Sequence, residues 1–155
     1  MDGLEINETI REVIALTQGE VLKNEVSLRT QLGGSLPLVQ GDKVQLQQVV
    51  LNLIINAAEA MASPGEGSRE LLISTGEAES HGVLVTVADS GPGLPSANYE
   101  HLFDAFYTTK PAGLGMGLPI CRTIIEAHGG RLWATANVPR GAVFQFTVPT
   151  RPVAG

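Results

Sequence analysis

One stretch of the chain, residues 42–61, is apolar on almost every side except for a single polar stripe. Asp42 is a suitable helix N-cap and neither Gly nor Pro interrupts the stretch, so the pattern predicts one helix of about 20 residues, roughly 30 Å long. A helix that is apolar nearly all round should be buried, Val44 included. The stripe recurs at spacings of three and four residues and consists of Gln45, Gln48, Asn52, Asn56 and Glu59.

Polar groups on a buried helix need partners, because a polar group that leaves water without a hydrogen bond destabilises the fold. The stripe therefore has two interpretations. Either a polar ligand or a metal ion lies against it, or its side chains form an internal hydrogen-bond network or meet water. The stripe alone does not decide between these interpretations.

The remaining periodicities predict two further helices and five strands. The helices are expected at residues 7–24 and 117–127. The strands are expected at residues 26–32, 71–78, 83–89, 131–137 and 142–148, with the second and third joined as a hairpin. In this order the elements predict an α/β two-layer sandwich, in which a mixed, mainly antiparallel sheet carries the helices on one face.

Residues 91–112 have no clear period and are rich in Gly, Pro, Ser and Thr. Such a segment is too long for an ordinary connection between two elements. Long loops in compact domains are usually functional or disordered. We therefore expect a lid over a binding site.

Composition narrows the possible classes of function. With 155 residues, 43% of them hydrophobic, the chain is expected to be a single domain with a sizeable core. A net charge of -6 without any run of Lys or Arg argues against nucleic acid as a partner. The single cysteine, Cys121, excludes an internal disulfide and is expected to be a small buried residue. No apolar run reaches the length of a membrane span and no signal-peptide pattern is present, which predicts a cytoplasmic domain without membrane contact.

Two glycine-containing motifs add to the polar stripe. Residues 89–93, DSGPG, follow an apolar strand, so a partly buried Asp89 lies beside backbone that can approach a ligand closely. Residues 113–117, GLGMG, precede a helix, where amide N–H groups and the helix dipole favour a phosphate. The second motif matches neither G-x-x-x-x-G-K-[ST] nor G-x-G-x-x-G. Each motif alone is weak evidence for a ligand site, because the first is also typical of a plain turn and the second of a flexible hinge.

Together, in this order and spacing, the three features resemble the ATP-binding catalytic domain of sensor histidine kinases. The resemblance covers about residues 4–149, which it implies to be the core of the domain. That superfamily also holds gyrase, the heat-shock chaperone ATPase and mismatch-repair ATPases. The run 106–130 is especially similar to the nitrogen-regulation and oxygen-sensing branch. The segments that look like the family's asparagine, first glycine, phenylalanine and second glycine boxes are residues 52–60, 89–93, 103–110 and 113–118.

The resemblance implies that the domain binds MgATP. Asn56 would ligate Mg²⁺ through its side-chain oxygen, Asn52 would lie beside the phosphates, and Asp89 would accept a hydrogen bond from the adenine amino group. Guanine would place a carbonyl against that carboxylate, which leaves both groups unpaired. The other positions that the resemblance implies for nucleotide binding are Glu59, Gly91, Gly93, Leu94, Thr108, Thr109, Lys110, Gly113, Leu114, Gly115, Met116, Gly117, Leu118 and Thr147. Near Gly141, relatives often carry a Thr, where this chain has Ala142 and Val143.

The implied reaction is transfer of the γ-phosphoryl group to a histidine on a separate dimerisation domain, with a response regulator downstream. The acceptor and sensor domains are expected to lie outside this chain, and the isolated domain is expected to be a monomer. Relatives that hydrolyse ATP carry Glu in place of Asn52, and an amide cannot accept a proton. The alternatives are a serine-phosphorylating relative, an ATP-driven clamp and an ATP-binding module without turnover. His81, His101 and His128 are expected to have structural roles.

Overall fold

The computed structural model describes residues 3–61, 69–78, 82–91, 117–137 and 141–150. The helices in these ranges are α1 (Ile6–Lys23), α2 (Lys43–Ala60) and α3 (Gly117–Ala127). The strands are β1 (Gly3–Leu4), β2 (Ser27–Gln31), β3 (Val39–Gln40), β4 (Glu70–Ala78), β5 (Gly82–Asp89), β6 (Leu132–Ala136) and β7 (Ala142–Pro149). Each predicted helix boundary lies within one residue of the observed one. The two-residue strands β1 and β3 were not predicted, because two residues are too few to show a period.

The main sheet has the strand order β2-β4-β5-β7-β6. Strand β2 pairs parallel with β4, and the other neighbours pair antiparallel. Strands β1 and β3 form a separate antiparallel pair. The predicted mixed, mainly antiparallel sheet is therefore confirmed, and so is the predicted hairpin of β4 and β5.

One face of this sheet forms the core with the helices. Side chains along β5 and β7 alternate between buried and partly exposed, as strands with one covered face do. Helix α2 packs against α1 on one side and α3 on the other, and it contacts the central strand β5. The predicted two-layer sandwich is confirmed. In the part of the chain that the structure describes, no helix is both long and apolar enough to cross a membrane.

Helix α2 begins where the sequence predicted, and its residues are less exposed to solvent at its C-terminal end than in its first turn. Asp42 caps it, with Oδ1 accepting a hydrogen bond from the backbone N–H of Gln45 at 3.0 Å. The expectation that Val44 is buried was wrong, because Val44 lies in the first turn and is 72% exposed. Burial starts at Leu46, which has no exposed surface. The first turn of α2 therefore extends past the packed layer.

A buried histidine joins the ends of two helices. His128 lies just after α3, and its Nε2 accepts a hydrogen bond from the backbone N–H of Asp42 at 3.0 Å. Its Nδ1 is 2.8 Å from the carbonyl oxygen of Ile124, to which it donates. Both bonds together require the neutral imidazole with its proton on Nδ1. A side chain at Gly41 would meet the ring, since a Cβ there would lie 2.8 Å from His128 Cδ2. The expected structural role of His128 is supported by these contacts.

We predict that His128→Ala lowers the free energy of unfolding by about 1–3 kcal/mol, because it leaves the backbone N–H of Asp42 without its acceptor. Urea denaturation followed by circular dichroism measures the change. The control is Glu126→Ala on the same helix, where an exposed pair with Arg122 should contribute less than about 0.5 kcal/mol. Equal stability of the two variants would show that the imidazole does not join the helices.

Candidate functional site

A buried carboxylate lies at the end of β5. Asp89 is 4% exposed. Its Oδ1 accepts hydrogen bonds from the backbone N–H of Gly91 at 2.9 Å and from the backbone N–H of Ala142 at 3.2 Å. Backbone donors on a carboxylate offset the loss of water around its charge. The two backbone N–H groups therefore fix the position of Oδ1 and, with it, the orientation of the carboxyl group.

Two residues at the ends of the connection between β6 and β7, Asn137 and Gly141, lie against the backbone of Asp89. Gly141 has a φ of 109°, and a Cβ there would lie 1.9 Å from the carbonyl oxygen of Asp89. That carbonyl oxygen also accepts a hydrogen bond from Asn137 Nδ2 at 2.8 Å. Sequence reasoning assigned no role to Asn137 or to the backbone of Ala142. A glycine that ends the connection between two predicted strands was the available signal, since positive φ favours glycine there.

The turn after Asp89 is tied to the end of α2. Ser90 makes two hydrogen bonds with the backbone of Glu70. Its N–H donates to the Glu70 carbonyl oxygen at 3.0 Å, and its hydroxyl accepts the Glu70 N–H at 2.9 Å. The same hydroxyl lies 3.9 Å from the sulfur of Met61, the residue that follows α2. The first glycine motif and the C-terminal end of α2 are therefore neighbours, as a shared site requires.

The solvent exposure of the polar stripe decreases along α2 from its N-terminal to its C-terminal end. Gln45 and Gln48 are exposed, Asn52 is partly exposed, and Asn56 is only 7% exposed. Asn52 donates a hydrogen bond from Nδ2 to the sulfur of Cys121 on α3 at 3.7 Å. The first two positions meet water, and Asn52 makes an internal hydrogen bond to α3, so the second interpretation holds for these three positions. A ligand against Asn56 stays a prediction.

The single cysteine lies on the inner side of α3. Cys121 has no exposed surface, which confirms the expectation of a small buried residue. Burial raises the pKa of its thiol from 9.0 to about 11, against a smaller lowering by the hydrogen bond from Asn52. The thiolate is the nucleophilic form of cysteine. At neutral pH this side chain is therefore a protonated thiol and a weak nucleophile.

Two further predicted positions lie at the start of α3, and one lies elsewhere. Gly117 begins α3 and Leu118 is buried in its first turn. Thr147 lies five residues beyond Ala142 on β7, a distance of roughly 16 Å along a strand. It alternates with the buried residues of β7, and its hydroxyl accepts the backbone N–H of Arg131 at 3.1 Å. The structure therefore does not bring Thr147 to Asp89.

Several sequence predictions concern residues outside the described ranges. The side chain of Glu59, which lies on α2, belongs to this group. So do most of the predicted lid at residues 91–112, as well as His81 and His101. The other predicted binding positions in this group are Gly93, Leu94, Thr108, Thr109, Lys110, Gly113, Leu114, Gly115 and Met116.

A cleft of about 270 Å³ also touches Asp89 and Ser90, but from the other side of the sheet. Its floor includes Leu72 and Ala88, which alternate with the buried residues of β4 and β5. The cleft therefore opens away from the helices and from the asparagines of α2. We assign the candidate site to the helix side, where Asp89 and the end of α2 meet.

Comparison with known proteins identifies the family. The family model described as the histidine kinase-, DNA gyrase B- and HSP90-like ATPase matches residues 41–152, which is more than half of the chain. The chain belongs to this family. Since the family consists of ATPases, the chain is an ATP-binding domain, as the sequence predicted.

Among curated relatives, the similarity is to sensor kinases. The sensor protein FixL of Bradyrhizobium diazoefficiens is 43% identical over 144 residues, which cover 93% of this chain and 28% of FixL. The sensor histidine kinase TmoS of Ectopseudomonas mendocina is 40% identical over 147 residues, which cover 94% of this chain and 15% of TmoS. The chain therefore spans less than a third of these two relatives.

Solved structures show the same fold. The catalytic domain of histidine kinase ThkA matches with a TM-score of 0.83 and 35% identity, covering 97% of both chains. Full-length ShkA in complex with AMPPNP matches with a TM-score of 0.84 and 25% identity, covering 99% of this chain and 32% of ShkA. With the family and the relatives, these matches show that the chain is of the histidine kinase catalytic domain type.

We predict that Gly141→Ala weakens ATP binding and lowers the free energy of unfolding by at least about 1 kcal/mol, because its Cβ must displace the backbone of Asp89 and the φ is strained. Isothermal titration with ATP and urea denaturation measure the two effects. Gly76→Ala is the matched control, since a Cβ at that position of β4 meets nothing within 4 Å. Parent-like ATP affinity and stability in Gly141→Ala would contradict the described contact.

Proposed function

We propose that this domain binds MgATP and transfers its γ-phosphoryl group to a histidine on the dimerisation domain of its parent kinase. The observation that carries this proposal is the buried carboxylate of Asp89, anchored beside the end of α2, where Asn56 is buried too. The two polar groups lie on elements that the Ser90–Met61 contact holds together. Such a pair suits a ligand with a purine at one end and phosphates at the other.

Asp89 is the proposed specificity element for adenine. Its Oδ1 is held by the two backbone N–H groups of Gly91 and Ala142, which gives Oδ2 a defined direction. In the proposal, Oδ2 accepts a hydrogen bond from the adenine amino group. Guanine has a carbonyl at that place, and an anchored carboxylate cannot rotate to avoid it. The domain should therefore prefer ATP over GTP.

Asn56 is the proposed protein ligand of Mg²⁺. A carboxamide oxygen is a hard donor, which Mg²⁺ accepts, and Mg²⁺ usually keeps several waters and the phosphates of its nucleotide. One buried amide therefore fits a metal that arrives with ATP. When bound, Mg²⁺ would neutralise charge on the phosphate oxygens. Among the described residues, no three His, Cys, Asp or Glu side chains cluster as a metal site.

The chain's own contribution to the reaction would be placement of the phosphates. Asn52 lies one turn before Asn56 and would contact the phosphates through its amide. An amide cannot take a proton from water, so Asn52 favours transfer to a partner nucleophile over hydrolysis. Phosphoryl transfer needs mainly positioning and charge neutralisation from the protein. In the proposal, the remaining phosphate and lid contacts come from residues 93–94, 108–110 and 113–118.

The proposed partners are the acceptor dimerisation domain and a response regulator, with the domain itself a monomer in the cytoplasm, where ATP is supplied. A structure of ThkA with the response regulator TrrA matches this chain with a TM-score of 0.81 and 33% identity. That complex supports a similar arrangement here. Two alternatives remain testable, namely a serine-phosphorylating relative and an ATP-binding module without turnover.

The test is to mix the domain with γ-labelled ATP and a purified acceptor dimerisation domain from FixL. The proposal predicts a labelled acceptor whose phosphate is lost in acid and kept in alkali, as phosphohistidine is. An acid-stable phosphate would indicate a serine acceptor instead. ATP binding without label on acceptors from several relatives, FixL and TmoS included, would favour a module without turnover and contradict the proposal.

We predict that Asp89→Asn weakens ATP binding by roughly tenfold or more, since a hydrogen bond to a charged group contributes about 1.5–3 kcal/mol. The ratio of GTP to ATP affinity should rise in the same variant. Isothermal titration with each nucleotide measures both changes. Glu77→Gln, on an exposed position of β4, is the control for loss of a negative charge. Unchanged ATP affinity in Asp89→Asn would remove Asp89 as the adenine partner.

We predict that Asn56→Ala removes most of the gain in ATP affinity that Mg²⁺ provides, because the metal loses its protein ligand. The measurement compares ATP binding in Mg²⁺ and in excess chelator for parent and variant. Gln48→Ala, on the exposed part of the same stripe, should keep the parent's Mg²⁺ dependence. The assignment of Asn56 fails if its variant shows the same dependence as the parent.

A further inference from the structure

We infer that Cys121 is a positioning residue, whose thiol holds the side-chain amide of Asn52 in one orientation. The thiol lies on α3 and both of its described contacts reach α2. The sulfur accepts a hydrogen bond from Asn52 Nδ2 at 3.7 Å, and the S–H group donates to the carbonyl oxygen of Val49 at 3.9 Å. A thiol has one weak donor and weak acceptor capacity, so both are directed at one helix.

The contact distinguishes the two ends of the Asn52 amide. The oxygen and nitrogen of a carboxamide have nearly the same shape, so their hydrogen-bond partners decide which way the group points. With the S–H hydrogen directed at Val49, the sulfur offers a lone pair, which attracts Nδ2 and disfavours Oδ1. The sulfur takes one amide hydrogen. Because the amide group is planar, Oδ1 and the second amide hydrogen then point away from Cys121.

The surroundings make this arrangement persistent. Cys121 has no exposed surface, so water does not compete for the sulfur. Burial keeps the pKa of its thiol near 11, and the S–H donor to Val49 is therefore retained across the physiological range. Cys121 also lies in the second turn of α3, shortly after the 113–117 glycine motif.

The catalytic consequence of this orientation rests on the proposed function, in which Asn52 contacts the phosphates. A fixed amide presents the same atoms to the phosphates in every molecule, whereas a rotating amide presents them in only part of the population. Loss of one weak hydrogen bond, about 0.5–1 kcal/mol, corresponds to a roughly twofold to fivefold effect. We expect the effect in kcat more than in the KM for ATP.

The first measurement needs no nucleotide. In ¹⁵N-labelled domain, the side-chain NH₂ signals of Asn52, assigned through Asn52→Asp, are compared between the parent, Cys121→Ala and Cys121→Ser. We expect Cys121→Ala to move these signals toward the shifts of a solvated amide. Cys121→Ser should retain most of the parent's shift, because a hydroxyl can still accept the hydrogen bond. Unmoved Asn52 signals in Cys121→Ala would overturn the inference whatever the domain's activity.

The second measurement uses the phosphotransfer assay with the FixL acceptor domain. We expect Cys121→Ala to lower kcat about threefold, with partial recovery in Cys121→Ser. Ile125→Val, which removes one buried methyl group from the same helix, is the control for loss of packing and should keep the parent's kcat. An equal loss in Ile125→Val and Cys121→Ala would overturn the positioning role. If the Asn52 signals move but the parent domain transfers no phosphate, the orientation stands and the proposed function fails instead.

Discussion

A carboxylate held away from water is the constraint on which the site depends. A buried charge destabilises a fold unless hydrogen-bond donors replace the water around it. Asp89 has two such donors, the backbone N–H groups of Gly91 in the following turn and of Ala142 on β7. This arrangement needs β5 and β7 to be neighbours in register. It also needs Gly141, since any Cβ there meets the Asp89 backbone. The central strands therefore act as a rigid frame for one side chain.

The second constraint is the gradient of burial along α2. The same polar stripe is exposed at Gln45 and Gln48 and buried at Asn56. The C-terminal end of α2 therefore lies beside the candidate site, where Met61 contacts Ser90 in the turn after β5. Helix α3 contacts α2 through Cys121. A site built from three elements in this way explains why no single motif in the sequence was specific on its own.

Local periodicity predicted the helices and the paired strands, because each pattern is set by neighbours in sequence. It failed where tertiary packing decides the outcome. Val44 continues the apolar pattern but lies past the packed layer, and β1 and β3 are strands through pairing between residues distant in sequence. Asp89 was found from its place after an apolar strand. Its backbone partner Ala142 was not, because that residue lies 53 positions away on another strand, and the register between the two strands cannot be read from the sequence. Thr147 was assigned by resemblance, and the register of β7 places it far from Asp89.

The most direct test is a crystal structure of the domain with Mg²⁺ and AMPPNP. The account predicts the adenine amino nitrogen within about 2.7–3.2 Å of Asp89 Oδ2, with the metal on the side-chain oxygen of Asn56 and the phosphates beside Asn52. A purine bound at another place, or an Asn56 side chain pointing into bulk solvent in that complex, would contradict it.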